Sequence, residues 1–138
     1  MKAVIQAEKT GCGIASVAAL AGVSYISAKA AANSLGISAE DPRLWSDTAP
    51  VRRLLTHYGL RAGTKEIPFD SWEKLPDRAL LAIKWHLESG KPFWHWVVFA
   101  RIRGESFVLD PKKALVMNRR TDFGRMKPRW FIRVQIRR

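Results

Sequence analysis

One thiol and three imidazoles carry most of the chemistry open to this chain: Cys12, and His57, His86 and His95. Cys12 lies between Gly11 and Gly13 in the stretch Gln6 to Ala19. An apolar, small-residue run follows it: Ile14, Ala15, Val17, Ala18, Ala19 and Leu20. Gly-Cys-Gly before a helix-forming run predicts a thiol at a helix N-terminus. The unpaired N–H groups of a first turn and the helix dipole favour an anion there. Such placement can bring a thiol well below its free pKa of about 8.5. The two glycines leave room for another backbone to approach the sulfur. Gln6, six residues upstream, carries an amide donor that can point at the same place. Taken alone, a single cysteine also fits a small buried hydrophobe.

A nucleophilic cysteine needs a base to share its proton and a third group to orient that base. His57 falls in the last turn of an expected helix, where an imidazole suits the helix C-terminus, so its reading is structural. His86 follows Trp85 at a strand end beside a turn. His95 opens the strongest strand candidate, between Trp94 and Trp96. Apolar walls around an imidazole exclude water and sharpen its interaction with a thiolate. A hairpin at Arg103–Ser106 would bring Phe107 to Asp110 back along that strand, so Asp110 can lie in the same sheet as His95. A carboxylate at an imidazole N–H fixes its tautomer and favours its charged form. Asp110 precedes Pro111, and Asp-Pro is also a common way to end a strand.

The elements that must position these groups fall in a definite order. A first helix runs from Cys12 to about Ala21, stopped by Gly22. Ser24 suits an N-cap for a second helix, Tyr25 to Leu35, with Ile26, Ala30 and Leu35 as its buried side and Gly36 closing it. Glu40 to Asp47 reads as a turn-rich connection. Asp47 or Thr48 would cap a third helix, Ala49 to Tyr58, with Pro50 in its first turn. Val51, Leu54, Leu55 and Tyr58 form its apolar stripe.

The pattern changes after Gly59. Leu60 to Ile67 is a short polar strand candidate, and Asp70 would cap a single turn before Pro76. Arg78 to Trp85 is nearly continuously apolar, as in a strand buried on both faces. Phe93 to Ile102 is aromatic and β-branched. Phe107 to Leu109, Ala114 to Met117 and Trp130 to Ile136 complete the strands. Helices first and antiparallel strands after make an α+β layout. The helix of Cys12 is the natural cover for the sheet.

At 138 residues the chain suits one domain. Its 47% apolar and 26% charged residues are ordinary for a soluble fold. One cysteine excludes an intramolecular disulfide and fits a reducing compartment. The opening MKAVIQAEKTG has no apolar h-region, so no signal peptide is expected and a cytoplasmic location is. No run reaches the roughly 18 apolar residues of a membrane span. The net charge is +12, and it is uneven. From Arg101 onward stand 12 of the 24 Lys and Arg but only three of the 12 Asp and Glu. That surplus implies affinity for something acidic: a peptide, a nucleic acid, a membrane face or an acidic partner.

Taken together, these residues resemble the papain-like peptidases that cleave double-glycine leaders from bacteriocin and peptide-pheromone precursors. Gln-x5-Cys-Gly before a small, apolar helix is Gln6, Cys12, Gly13 and Ile14 to Leu20. His-aromatic-Val-Val is His95, Trp96, Val97 and Val98, and the Asp-Pro after a hairpin is Asp110 and Pro111. LLTHYGLRA, followed by FDSWEKLP and an apolar strand, is similar to that family's middle section. The likeness covers roughly Val4 to Val116. It implies a papain-like fold, with the catalytic cysteine at a helix N-terminus packed on the C-terminal antiparallel sheet. It also implies roles. Cys12 attacks the scissile carbonyl, His95 holds and delivers the proton, and Asp110 orients His95. Gln6 donates its amide, with the Cys12 backbone N–H, to the oxyanion. No metal or organic cofactor is implied.

The substrate implied is a peptide, such as a leader cut after Gly-Gly, and a separate transporter is an implied associate. The chain departs from the family in two respects. Gly11 stands where an acidic residue often precedes the cysteine, and the C-terminal third is strongly basic. Two other readings stay open: a papain-like fold kept as a non-catalytic peptide-binding module, and a toxin or effector that engages nucleic acid through the basic region. In the latter, Trp130 and Phe123 would stack on bases.

Overall fold

A computed structural model describes residues 1–136. Three helices come first: α1 (Cys12–Ala21), α2 (Tyr25–Ser34) and α3 (Ala49–His57), with a 3₁₀ turn at Pro42–Trp45. Seven strands follow: β1 (Arg61–Ala62), β2 (Ile67–Pro68), β3 (Arg78–Glu88), β4 (Lys91–Ile102), β5 (Glu105–Leu109), β6 (Arg119–Arg120) and β7 (Pro128–Gln135). They form one sheet in the order β1-β7-β3-β4-β5-β6, with β2 also on β7. Every pairing is antiparallel. The fold is therefore α+β.

Side chains alternate across a strand, so the sheet separates two apolar layers. Leu80, Ala82, Trp96, Val98 and Ala100 join Ile14, Val17, Leu54 and Leu55 in one core, under the helices. Ala79, Leu81, Ile83, Val97 and Phe99 form a second core, closed by Leu75, Met126, Trp72 and Phe123. Burial on both faces explains why β3 and β4 read as unbroken apolar runs. Two-residue turns fix the hairpins. Ser89-Gly90 and Arg103-Gly104 all have positive φ, the backbone that matches the twist of paired strands.

The helix ends fall where the sequence places them. Gly22 ends α1 at φ +73, and the Ser24 hydroxyl accepts the Ser27 N–H at the start of α2. The expected buried side of α2 needs correction. Ile26 is 80% exposed, while Ala28 and Ala32 are buried. In an Ala-rich helix the apolar contrast is too weak to mark the inward face. Two strand expectations also change. Ala114 to Met117 is not a strand: its residues lie in a loop and Val116 is fully exposed. The strand there is β6, two residues long, paired with Val108 and Leu109. Residues 60–67 hold two short pieces, β1 and β2, rather than one strand.

Candidate active site

Cys12 opens α1, with Gly11 as its N-cap. Cys12 is the first residue of the helix, so its backbone N–H has no partner within α1. Both glycines are required by packing. A Cβ on Gly11 would collide with the Tyr25 hydroxyl. That hydroxyl donates to Glu8 Oε1, and Lys29 Nζ donates to Glu8 Oε2 at 2.6 Å. These bonds hold the Glu8 carboxyl below the usual carboxylate range, Lys29 contributing most. Position 11 therefore takes a side chain only if Tyr25 shifts. A Cβ on Gly13 would lie 2.7 Å from Val51 Cγ1 and 3.2 Å from Trp96 Cδ1. The absent side chain lets α1 seat directly on β4.

Trp96 holds that seat. Its indole N–H donates to the Leu44 carbonyl at 2.9 Å, and its own carbonyl accepts from Ser16 Oγ at 3.4 Å. The residue before it, His95, faces the opposite way along the strand. The register pairs Val98 with Leu109. One step further, Asp110 comes opposite Val97, two residues from His95 and on the same side. His95 Nε2 and Asp110 Oδ1 meet at 2.7 Å. This leaves Nδ1 of the ring for the thiol. Burial of the ring disfavours its charge. The hydrogen bonds it shares with Asp110 and Cys12, and the charges of those two groups, outweigh burial and push its pKa up to about 9. The ring therefore carries a proton at neutral pH.

Asp110 is completely buried. Burial alone would raise its pKa. The His95 hydrogen bond and charge, the Lys112 N–H and Arg120 outweigh that and hold it below the usual carboxylate range. Oδ1 also accepts the Lys112 backbone N–H at 3.0 Å, and Oδ2 accepts Arg120 Nη1 at 2.9 Å. Arg120 is itself fixed by Asp122, through Nε at 2.9 Å and Nη2 at 2.7 Å. Asn118 ties the loop shut, its amide donating to the carbonyls of Asp110 (2.7 Å) and Lys112 (2.9 Å). Sequence reasoning missed Arg120, Asn118 and Asp122. Their signal was only a basic run with polar neighbours, and their roles depend on β6 pairing with β5.

Gln6 differs from its expected role. Its backbone N–H donates to the Pro111 carbonyl at 3.0 Å, which links it to the Asp110 loop. Its side-chain nitrogen, however, donates to the carbonyls of Glu8 (2.9 Å) and Lys9 (3.0 Å). Both amide hydrogens are thereby occupied, and Oε1 is buried with no hydrogen-bond partner. In this conformation Gln6 secures the segment before the cysteine and offers no hydrogen to an oxyanion.

A cleft of about 370 Å³ lies beside His95, lined by Gln6, Lys9, Trp45 and Lys112 among others. Cys12 itself has no exposed surface, so its sulfur is out of reach of a substrate in this conformation. The other imidazoles are elsewhere. His57 packs edge-on to Tyr58 at the end of α3, and His86 is exposed beside Glu88 at 3.4 Å. The pair of Trp130 and Phe123 does not form a stacking platform. Trp130 packs on Trp94 and Trp96, on the helix side of the sheet. Phe123 packs on Trp72, on the other side. Among the described residues, no three His, Cys, Asp or Glu side chains are grouped so as to hold a metal ion. No helix among them is long and apolar enough to cross a membrane.

Compared with known proteins, the chain matches no family model and no curated protein.

Proposed function

We propose that the chain is a thiol peptidase of papain-like design, with Cys12 as nucleophile, His95 as proton carrier and Asp110 as its orienting group. One observation carries the reading: the half-buried His95 ring bonds Asp110 at 2.7 Å and is held charged by that carboxylate and by the Cys12 thiol. A helix-start thiol, a charged ring and a carboxylate that fixes the ring are the parts a thiol acyl-transfer site needs. Cys12 Sγ attacks the scissile carbonyl carbon, and the Cys12 backbone N–H donates to the oxygen that gains charge. His95 passes its proton to the leaving amine, whose C–N bond breaks to leave an acyl-thioester. The neutral ring then takes a proton from water. That water attacks the thioester, frees the new carboxylate and returns the thiolate.

The substrate that this reading favours is a peptide bond after small residues, such as Gly-Gly in a leader. The test is digestion of a peptide mixture containing Gly-Gly pairs, with cleavage sites mapped by mass spectrometry. Wild type should cleave; Cys12→Ala and His95→Ala should not. Cleavage that survives Cys12→Ala contradicts the proposal, as does a folded wild type that cuts nothing. The full burial of Cys12 favours the other reading, a module that binds peptides without cutting them. Peptide binding by wild type with no turnover would establish it.

A further inference from the structure

The cleft beside His95 has a charge that its catalytic parts do not account for. Three lysines line it: Lys9 on one side, Lys112 and Lys113 on the other. All three are exposed, and among the described residues none forms an ion pair with a carboxylate. The only acidic residue on the lining, Glu8, is already taken by Lys29 and Tyr25. Elsewhere the cations of this chain are often paired: Arg43, Arg52, Lys74, Arg101, Arg119 and Arg120 all meet carboxylates. Among the described residues other cations, such as Lys65, Lys91 and Lys127, also lack a carboxylate partner, but the three on the cleft stand where a substrate would lie.

Their backbone is anchored to the site. The Lys112 N–H bonds the same Asp110 oxygen that holds His95, and the Lys112 carbonyl accepts from Asn118. The Lys9 carbonyl accepts from Gln6, and its ammonium lies 5.8 Å from the centre of the Trp45 ring. Two segments fixed to the catalytic groups thus present cations across an apolar floor of Trp45, Ala7 and Ala114. Cations so placed attract and orient an anionic chain.

We propose that this cleft selects peptides carrying two or more Asp or Glu residues close to the scissile bond, gripped by Lys9, Lys112 and Lys113. The selection rests on the peptidase reading for its use, but the grip can be tested without it. The probe is a fluorescein-labelled peptide of alternating Glu, Gly and Ala, and its control replaces each Glu by Gln. Binding is followed by anisotropy at low and high salt, and cleavage by mass spectrometry. The acidic peptide should bind wild type about tenfold more tightly than the Gln peptide, with the difference shrinking in salt. Lys9→Gln/Lys112→Gln/Lys113→Gln should abolish the preference with its melting temperature unchanged. Lys65→Gln/Lys91→Gln/Lys127→Gln, outside the cleft, should keep it.

Equal affinity for the two peptides overturns the proposal, as does a preference that survives the cleft triple variant. So does single-stranded DNA of equal charge that competes as well as the acidic peptide, since the lysines would then serve any polyanion. Acid preference without cleavage by wild type leaves the grip standing and removes the peptidase reading.

Discussion

Asp110 and Arg120 are joined by a 2.9 Å hydrogen bond, so the buried carboxylate faces a cation on one oxygen and the His95 ring on the other. Arg120 is a positioning group for the orienting acid. Removing it takes away one of two cations on the carboxylate, the His95 ring remaining, and a hydrogen bond to a charged group is worth about 1.5 to 3 kcal/mol. Arg120→Ala should destabilise the fold by about that amount in urea unfolding. Arg120→Lys should recover only part, because an ammonium cannot bridge Asp110 and Asp122 as the guanidinium fork does. Stability equal to wild type in Arg120→Ala would contradict this.

The pH dependence of stability follows from two opposed shifts. His95 is raised from 6.5 to about 9. Its contribution is full below about 6.5 and is lost as pH rises through about 9. Asp110 is lowered from 3.8. Its contribution is full above about 3.8 and is lost as pH falls through its lower folded value. Both are complete only between about 4 and 6.5. Urea unfolding across pH should show its plateau there, and stability that climbs from pH 7 to 9.5 would contradict the assignment.

Peptide cleavage should fall as pH rises through about 9, where His95 loses the proton it delivers. Asp110→Asn removes a hydrogen bond and a charge that favour that proton. It should move the alkaline limb to lower pH and reduce kcat by roughly 10²- to 10⁴-fold. A limb that does not move would separate Asp110 from the chemistry.

Gly13 is a test of how α1 sits on the sheet. Gly13→Ala puts a methyl group 2.7 Å from Val51 Cγ1, and overpacking of this kind costs about 1 to 3 kcal/mol. Adding Val51→Ala opens the space, so the double variant should be more stable than the two separate losses imply. Additive losses would mean that the contact does not limit the packing.

Gln6 separates two sources of oxyanion stabilisation. Its amide hydrogens are held by Glu8 and Lys9. Gln6→Ala should therefore lower stability by about 1 to 2 kcal/mol and change kcat less than about tenfold. A kcat loss of about 100- to 1000-fold at unchanged stability would show that the amide turns to the oxyanion during reaction.

Much of this was legible in the chain, and the exceptions share a cause. The bounds of α1 follow from Gly11, Gly22 and the small residues between them. The hairpin after β4 follows from Arg103-Gly104, and it sets His95 against Asp110. Local chemistry was enough in each case. The inward face of α2 was not legible, because alanines on both sides leave Ile26 as the only strong marker, and it points to solvent. The apolar run Ala114 to Met117 looked like a strand. It is instead part of a loop that the Asn118 side chain closes by bonding the carbonyls of Asp110 and Lys112, and β6 begins after it. β7 lies between β3 and the short strands β1 and β2, an order that no local pattern encodes. Arg120 reads in sequence as one more cation of a basic tail. Its role appears only once β6 lies beside β5.

The most direct test of the site is an NMR titration of the His95 ring in wild type, Cys12→Ala and Asp110→Asn. The ring should titrate at about 9 in wild type and lower in each variant, since both partners raise it. A His95 that titrates at or below 6.5, or that does not respond to Cys12→Ala, would contradict the joining of thiol, imidazole and carboxylate in one site.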